Sequence, residues 1–560
     1  MKYPVLSVGF IKPQSALPLM SDLSITRKHR SLKPYTPAFF SGILLGISFP
    51  TYPVIRLELL AWIAFVPLLF SLLHEESFGR YYRKVYLSML LFSSISLWWV
   101  SLATLPGGLL TIIAQSFFLT VPFLVFYVLK RRAGYRFALM TFPFIWVGWE
   151  WAYMQQDLSL GWLTLGNSQA DLVGMIQYAD TTGVWGVSFW LLCFNIIALL
   201  GWMDFRRGHH PLFHVSALFM LIVLPLLYSG YVFSHESDSV SREPSVRVTL
   251  VQPDIDPFEK WQKYDSAEMM ELYYRLTDRA VRNERPELVI WPETAIPFYI
   301  LDGSYVGYLH SLQMSLNIWN VSLLSGFSDI VRYPPGVRLP VSSSATYDDV
   351  SGGYFETFNA SMLLAPGFVL PQVYHKIRLV PFAERVPYVE YFPWLGNFTF
   401  SLAGISSWGK GSDRTLMQLD SSRHGKVVLG NIICYESIFP GLVSEFVLKG
   451  ARFLTLVTND GWYSTSYGPY QHLAIGKLRC IENRRAMARC ANTGITAFID
   501  KYGRSYAEIP WWEENVLTSE VPLSRELTLF TRYPDMFPKA ALAIAGMLIA
   551  IAFIRKIRLS

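Results

Sequence analysis

The chain has 560 residues, of which 52% are hydrophobic and 16% charged, and a formal net charge of +6. That length exceeds one ordinary domain, the apolar share is high for a soluble protein of this size, and so modest a charge calls for no nucleic-acid partner. The apolar residues are clustered, in long blocks between 37 and 233 and again at 536–554. Blocks of about 18 or more apolar residues can cross the hydrocarbon core as helices. The pattern predicts a multi-pass α-helical membrane bundle of about eight spans carrying one soluble insert.

In chain order, residues 1–36 form a basic tail that lacks the compact apolar core and cleavage site of a signal peptide. Spans are predicted near 37–50, 57–74, 86–105, 108–129, 137–154, 183–203 and 211–233, with a last one at 536–554. The N-terminal bundle is thus 37–233, with seven spans. Its first two flank Pro50 and Pro53 and could form a hairpin or re-enter the membrane.

Basic residues mark the loops retained on the cytoplasmic side. They are Arg27, Lys28, Arg30 and Lys33 in the tail, then Arg80, Arg83 and Lys84, then Lys130, Arg131, Arg132 and Arg136. Arg206 and Arg207 follow the sixth span, and Arg555, Lys556 and Arg558 close the chain. The intervening loops are nearly bare. This alternation predicts cytoplasmic termini and an extracytoplasmic insert, 240–528.

Within the insert, short apolar strands alternate with amphipathic helices, which predicts an α/β layered domain. Strands are expected at Ser245–Val251, Glu287–Trp291, Val321–Gly326, Ala360–Leu364, Arg414–Leu419, Val427–Cys434, Phe453–Thr458 and Ile495–Asp500. Helices are expected at 265–283, where Met269, Leu272, Leu276 and Ala280 share one face, and at 437–449 and 470–490. Segment 330–357 reads as a mobile surface insertion, rich in Ser, Gly and Pro.

The four cysteines, 193, 434, 480 and 490, show no CxxC pair and no metal-ligand spacing, so neither a disulfide framework nor a metal or other cofactor is expected. Cys480 and Cys490, placed on one helix, would stand roughly 15 Å apart, too far to bridge.

Three strand ends carry the chemistry: WPETAIP with Glu293, YHKIRLVPFAERVPY with Lys376 and Glu384, and VVLGNIICYES with Cys434. Singly, each reads as ordinary. A cysteine ending an apolar strand is a small buried hydrophobe, a lone Glu caps a turn, and a lone Lys is solvated. Together they matter, because α/β sheets gather ligands at the carboxyl ends of strands. A cysteine there, ahead of a helix and near a lysine, is expected to have a lowered thiol pKa, with a carboxylate to take its proton.

These residues resemble the nitrilase superfamily, which has a Glu, Lys, Cys triad in this order on an α-β-β-α sandwich. Over nearly the whole chain the match resembles the apolipoprotein N-acyltransferases, through LVQPDIDPFEKW, WPETAIP, HKIRLVPFAERVP, ICYES, TNDGWYSTSYGPYQHL and RCANTGITAFID. Ala383 stands where that family usually has Gly. The resemblance implies Glu293, Lys376 and Cys434 as catalytic residues, with no cofactor. Glu384, Trp261, Asn359, Tyr435 and Glu436 match positions linked to substrate binding or site architecture. Glu384 would orient Lys376 or assist proton transfer, or simply pair with Arg385 or Arg378.

The implied activity is acyl transfer from a phospholipid donor, through a Cys434 thioester, to a diacylglyceryl-modified apolipoprotein in the bacterial inner membrane, with the catalytic domain periplasmic. The aromatic stretch 388–408 could form a lid at the membrane interface. Two other activities share parts of this pattern: a membrane-tethered nitrilase-type amidase and a non-catalytic lipid-binding scaffold. The intact triad weighs against the scaffold, and seven helices ahead of the domain weigh against a small soluble substrate.

Overall fold

The computed structural model describes residues 33–49, 55–235, 243–260, 265–337, 339, 344–367, 369–392, 394 and 407–555. Most of the basic tail, Trp261, and most of the aromatic stretch beyond Phe392 lie outside them.

Helices stand at seven of the eight expected membrane positions: α1 (Thr36–Ile47), α3 (Phe78–Leu97) with its short continuation α4 (Val100–Ala103), α5 (Leu105–Ala133), α6 (Tyr135–Tyr153), α7 (Ala179–Arg206), α8 (Leu212–Ser234) and, at the C-terminal end, Met536–Arg555. Among the described residues four are long and apolar enough to cross a membrane: α5, α7, α8 and the C-terminal helix. The others fall short for physical reasons. Helix α1 has 12 residues, about 18 Å of rise. Helix α3 begins with Arg80, Arg83 and Lys84, and α6 is rich in Trp and Tyr.

The expected span 57–74 is not one helix. It is a 3-10 turn, Glu58–Trp62, followed by the seven-residue helix α2, Val66–Leu72. The break at Ile63–Phe65 is held by Asn195 of α7, whose side chain accepts from Phe65 N at 2.8 Å and donates to Ala61 O at 2.9 Å. A buried asparagine thus satisfies backbone groups that a continuous helix would have paired itself.

Helix α5 shows how the termini are set. Thr104 caps its start by accepting from Gly107 N at 3.2 Å, Pro106 occupies the first turn, and Lys130, Arg131 and Arg132 close the last one. On α8 and the C-terminal helix, large apolar side chains face outward, Phe213 being 79% and Ile554 80% exposed. Such outward apolar surface suits lipid contact.

The insert is a sandwich of two sheets. The first has strand order β13-β1-β2-β3-β5-β4, with β6 also paired to β5, and the second runs β12-β11-β10-β9-β8-β7. Their ranges are β1 Ser245–Gln252, β2 Leu288–Ile290, β3 Ser322–Tyr333, β4 Thr346–Asp348, β5 Gly353–Leu364, β6 Gln372–His375, β7 Met417–Ser421, β8 Gly425–Ile433, β9 Phe453–Thr458, β10 Met487–Ala491, β11 Thr496–Ile499, β12 Ser505–Ile509 and β13 Asn515–Pro522.

Alternation along the strands splits the core. Val246, Val248 and Leu250 of β1 join Phe453 and Val457 of β9 between the sheets. Val251, Val289 and Leu323 face the other way, onto α9 (Ser266–Glu284) and α10 (Val306–Trp319). Leu454 and Leu456 meet α11 (Pro440–Leu448) and α12 (Gly468–Asn483) on the far side. The layering is therefore α-β-β-α, as the resemblance implies. The Cys490 thiol, on the second sheet, donates to Val251 O and Ile290 O of the first, each at 3.3 Å.

Helix α9 carries the expected face, with Met269, Leu276 and Ala280 buried, and Asp265 and Glu268 form a capping box at its start. Two expectations need correction. The helix expected at 470–490 ends at Asn483, where Arg484 turns left-handed, and Cys490 lies on β10. Segment 330–357 is in good part paired strand, since Ile330–Tyr333 and Tyr354–Thr357 extend the β3–β5 ladder.

The sandwich sits on the bundle through buried polar ties. Glu482 of α12 accepts from Val184 N at 2.8 Å, just past the kink at Gly183 in α7. Arg484 donates to Asp180 at 2.6 Å, and Lys477 to Asp171 at 2.9 Å.

Candidate active site

Cys434 follows β8 directly and adopts a φ of 49°, starting a 3-10 turn, Cys434–Ile438, ahead of α11. A left-handed cysteine is strained by roughly 1–2 kcal/mol, and the turn lifts its thiol off the end of the strand. Glu293 lies just beyond β2, and Lys376 directly follows β6. Gly326 of β3 lets the Glu293 turn pack close: a Cβ there would stand 2.6 Å from Pro292 O and 2.7 Å from Glu293 Cα.

Lys376 is 1% exposed. Its ammonium donates to Glu293 Oε1 at 3.1 Å and to Glu384 Oε1 at 2.9 Å. Asn359 Nδ2 donates to the same two oxygens, at 2.9 and 3.0 Å. Glu384 thus pairs with Lys376 rather than with its neighbour Arg385, which pairs with Glu390. Burial works against the Lys376 charge, but the two carboxylates outweigh it and hold the group well above its ordinary range. The lysine is a fixed cation.

The thiol departs from expectation. Burial pushes Cys434 well above the usual thiol range, the Glu293 charge adds to this, and Lys376 offsets only part of it. Its environment thus favours the neutral thiol over the thiolate.

Glu436, fully buried, ties the Cys434 turn to the Lys376 segment. One of its oxygens accepts from Tyr374 OH and Ile377 N, each at 2.7 Å, and from Arg378 N at 3.3 Å, and the other from Ile433 N at 2.9 Å. The Tyr435 hydroxyl reaches out of the sandwich to the Ser159 carbonyl of the bundle. Trp261 lies outside the described residues. Its neighbour Lys260 is buried and donates to Thr294 O, and burial lowers its pKa to about 8.

Beneath Cys434 lies a group that sequence reasoning missed. His472 of α12 contacts Asp460 at 2.9 Å and Ser437 Oγ at 2.8 Å, and Asp460 accepts from Arg489 at 2.6 Å. All three lie in stretches that carry the family resemblance, but one residue from each of three separate elements gives no local spacing to read.

Beside the Cys434 turn, the bundle and the sandwich flank a partly open apolar cleft. Val100, Ala103, Ala114 and Phe118 line it from the helices, and Phe382, Tyr435 and Tyr463 from the sandwich. Trp99 stacks edge-on to Tyr463 at 4.4 Å, and both Trp99 and Trp162 donate to Gln471, at 3.2 and 2.7 Å.

An α-β-β-α sandwich with a strand-end cysteine beside a buried Glu–Lys pair has the architecture of a carbon-nitrogen hydrolase, and the family of that description matches residues 247–527. A second, described as the apolipoprotein N-acyltransferase N-terminal domain, matches residues 41–197 of the bundle. The chain is 56% identical over 525 residues to an apolipoprotein N-acyltransferase of Chlorobaculum tepidum, covering 94% of this chain and 97% of that one. To one of Geobacter metallireducens it is 31% identical over 535 residues, covering 94% and 96%. The chain belongs to the apolipoprotein N-acyltransferase family. Among solved structures, Saccharomyces cerevisiae Nit3, of the nitrilase superfamily, is 16% identical with a TM-score of 0.35, covering 50% of this chain and 90% of that one.

Proposed function

We propose that the protein transfers one fatty acyl chain from a phospholipid, through a thioester on Cys434, to the α-amino group of an N-terminal diacylglyceryl-cysteine on an apolipoprotein. The observation that carries this reading is the apolar cleft, walled by membrane helices and ending at Tyr435, the residue after the nucleophile. An enzyme for small soluble amides has no use for such a cleft.

In the first step the Cys434 sulfur attacks the ester carbonyl while Glu293 takes the thiol proton. The tetrahedral oxyanion is held by the Lys376 ammonium and the Tyr435 N–H. Collapse breaks the ester C–O bond, and the lysophospholipid oxygen leaves with the proton from Glu293. In the second step the acceptor amine attacks the thioester, Glu293 takes a proton from the nitrogen, and the thiol is regenerated. Glu384 and Asn359 keep Lys376 and Glu293 in register throughout.

This reading places the catalytic domain, 240–528, on the periplasmic side of the inner membrane. It takes the bundle 37–233 as crossing seven times, with the broken segment 57–74 counted as one pass, and 536–554 as the eighth, so that the basic tail 1–36 and both termini are cytoplasmic. Tyr391, at 75% exposure, is available for contact with the membrane interface. A reporter active only outside the cytoplasm should work when fused near residue 240 and stay silent after Arg206.

The chemical test is mass spectrometry of the purified protein after incubation with phospholipid. A fatty acyl adduct on Cys434 is expected, and it should disappear on adding a diacylglyceryl-cysteine peptide. Absence of any adduct, with a small amide hydrolysed instead, would favour the amidase.

A further inference from the structure

A second cleft, with charged side chains set among apolar ones, has no part in the steps above. It is a small, partly open cleft between Gln156 and Asp157 of the bundle and Arg378, Arg385, Lys410 and Phe439 of the sandwich. It shares Ser159 and Pro381 with the apolar cleft, so the two adjoin next to the Tyr435 side chain.

Two of its three cations are matched. Lys410 donates to Asp157 at 3.1 Å, and Arg385 donates to Glu390 at 3.1 Å and to Trp408 O at 3.0 Å. Arg378 is different. Among the described residues its guanidinium makes no ion pair and donates no hydrogen bond, and it lies over the Phe439 ring at 4.8 Å. Two carboxylates lie near enough to act on it, and both are engaged elsewhere: Asp157 by Lys410, and Glu436 by Tyr374 OH and the backbone N–H groups of Ile377 and Ile433. Stacking on a ring covers a guanidinium's face and leaves its edge donors free, and a half-buried arginine with idle donors is poised for an anion. Its backbone is held in place, since Arg378 N donates to Glu436 at 3.3 Å, two residues beyond Lys376.

We propose that this cleft binds the phosphodiester of the donor phospholipid, with Arg378 as its principal ligand. The proposal rests on the reading that a phospholipid ester meets Cys434. In such a lipid the phosphate is joined through glycerol to the ester being cleaved, only a few bonds away. With the chain in the apolar cleft and the carbonyl at Cys434, the phosphate needs a polar, cationic space adjoining both. An arginine can grip two phosphate oxygens at once. The diacylglyceryl-cysteine acceptor has no phosphate at that position, so Arg378 acts in the first half-reaction alone.

The test compares two donors with the same acyl chains, phosphatidylglycerol and diacylglycerol, in mixed micelles with the full-length protein. Single-turnover acylation of Cys434 is read by mass, and the ratio of the two rates is the observable. Because it is taken within one preparation, loss of folded protein cancels. The wild type should favour the phospholipid, Arg378→Gln should lower that ratio at least tenfold, and Arg378→Lys should retain part of it. Transfer from preformed acyl-enzyme to a diacylglyceryl-cysteine peptide should not follow the ratio. An unchanged ratio in Arg378→Gln overturns the proposal. So does a wild-type ratio near one with both rates dependent on added inorganic phosphate, which would mark a site for the free anion. If the wild type is acylated by neither donor, the acyl-transfer reading itself fails and the proposal with it.

Discussion

His472 Nε2 lies 3.2 Å from the carbonyl oxygen of Cys434, and Ser437 Oγ donates to the same oxygen at 2.9 Å. In a trans peptide the C=O and the following N–H point in opposite directions. Drawing Cys434 O toward His472 therefore aims Tyr435 N–H the opposite way, where the proposed mechanism sets the oxyanion. His472→Ala should slow both half-reactions by about 10²-fold, the order seen when one oxyanion donor is lost. His472→Gln keeps an N–H near the Nε2 position and should recover part of that loss. Single-turnover kinetics of each half-reaction check this, and equal rates for His472→Ala and the parent would end the orienting role.

Asp460 supports that histidine. Burial alone would raise its pKa, but Arg489 and His472 override it and hold the carboxyl far below its ordinary range. A depressed carboxylate contributes stability fully above its unfolded pKa, about 3.9, and loses it progressively as pH falls toward the folded value. Asp460→Asn leaves Arg489 buried without a counter-charge, a change that typically costs about 3–5 kcal/mol. Unfolding in detergent at pH 7 should show that loss, and the gap to wild type should narrow below about pH 4.

The Cys434 thiol offers a test in which reactivity and catalysis move apart. The Glu293 charge raises its pKa and the Lys376 charge lowers it. Glu293→Gln should bring the thiol pKa down while thioester formation falls at least about 10²-fold for want of a base. Lys376→Met should push the pKa higher still. The pH dependence of iodoacetamide labelling at Cys434, read by peptide mass, gives both directions. A rise in Glu293→Gln would contradict the charge coupling.

Gly326 tests the support of the base. Its replacement by Ala sets a Cβ within 2.7 Å of Pro292 O, Thr294 N and Glu293 Cα, all backbone atoms. The Glu293 turn must shift, so Gly326→Ala should slow thioester formation by at least about tenfold, since misplacement by 1 Å can cost 10²-fold. Circular dichroism should show the helices and sheets retained.

Glu293 and Cys434 stood out as candidates because each follows a short apolar strand, a signal that survives in one sequence, whereas Lys376 follows the half-polar strand Gln372–His375, which the pattern did not predict. The layering was legible for the same reason, strands alternating with helices. What escaped was decided by partners distant in sequence. Met487–Ala491 is made largely of helix formers, yet it is a strand because β9 and β11 flank it. Asn515–Pro522 mixes polar and apolar residues and gained its place by pairing with the whole of β1. The break in 57–74 depends on Asn195 of another helix, and the lifted thiol pKa on burial that no motif reports.

The apolar cleft makes a claim about chain length. Ala114 of α5 lines it, and Phe213 of α8 points outward at 79% exposure. Ala114→Trp shortens the space available to an acyl chain without touching the triad. If it displaces about four methylenes from burial, at about 0.8 kcal/mol each, the loss approaches 3 kcal/mol, or about 10²-fold. Acylation by a 16-carbon donor, in round terms about four methylenes too long for the narrowed cleft, should therefore fall by about that factor. A donor of about six carbons, which does not reach the indole, should stay within about twofold. Phe213→Trp should alter neither. Equal losses for both chain lengths in Ala114→Trp would mean that the indole disturbs the nucleophile, and the acyl chain would then have to lie elsewhere.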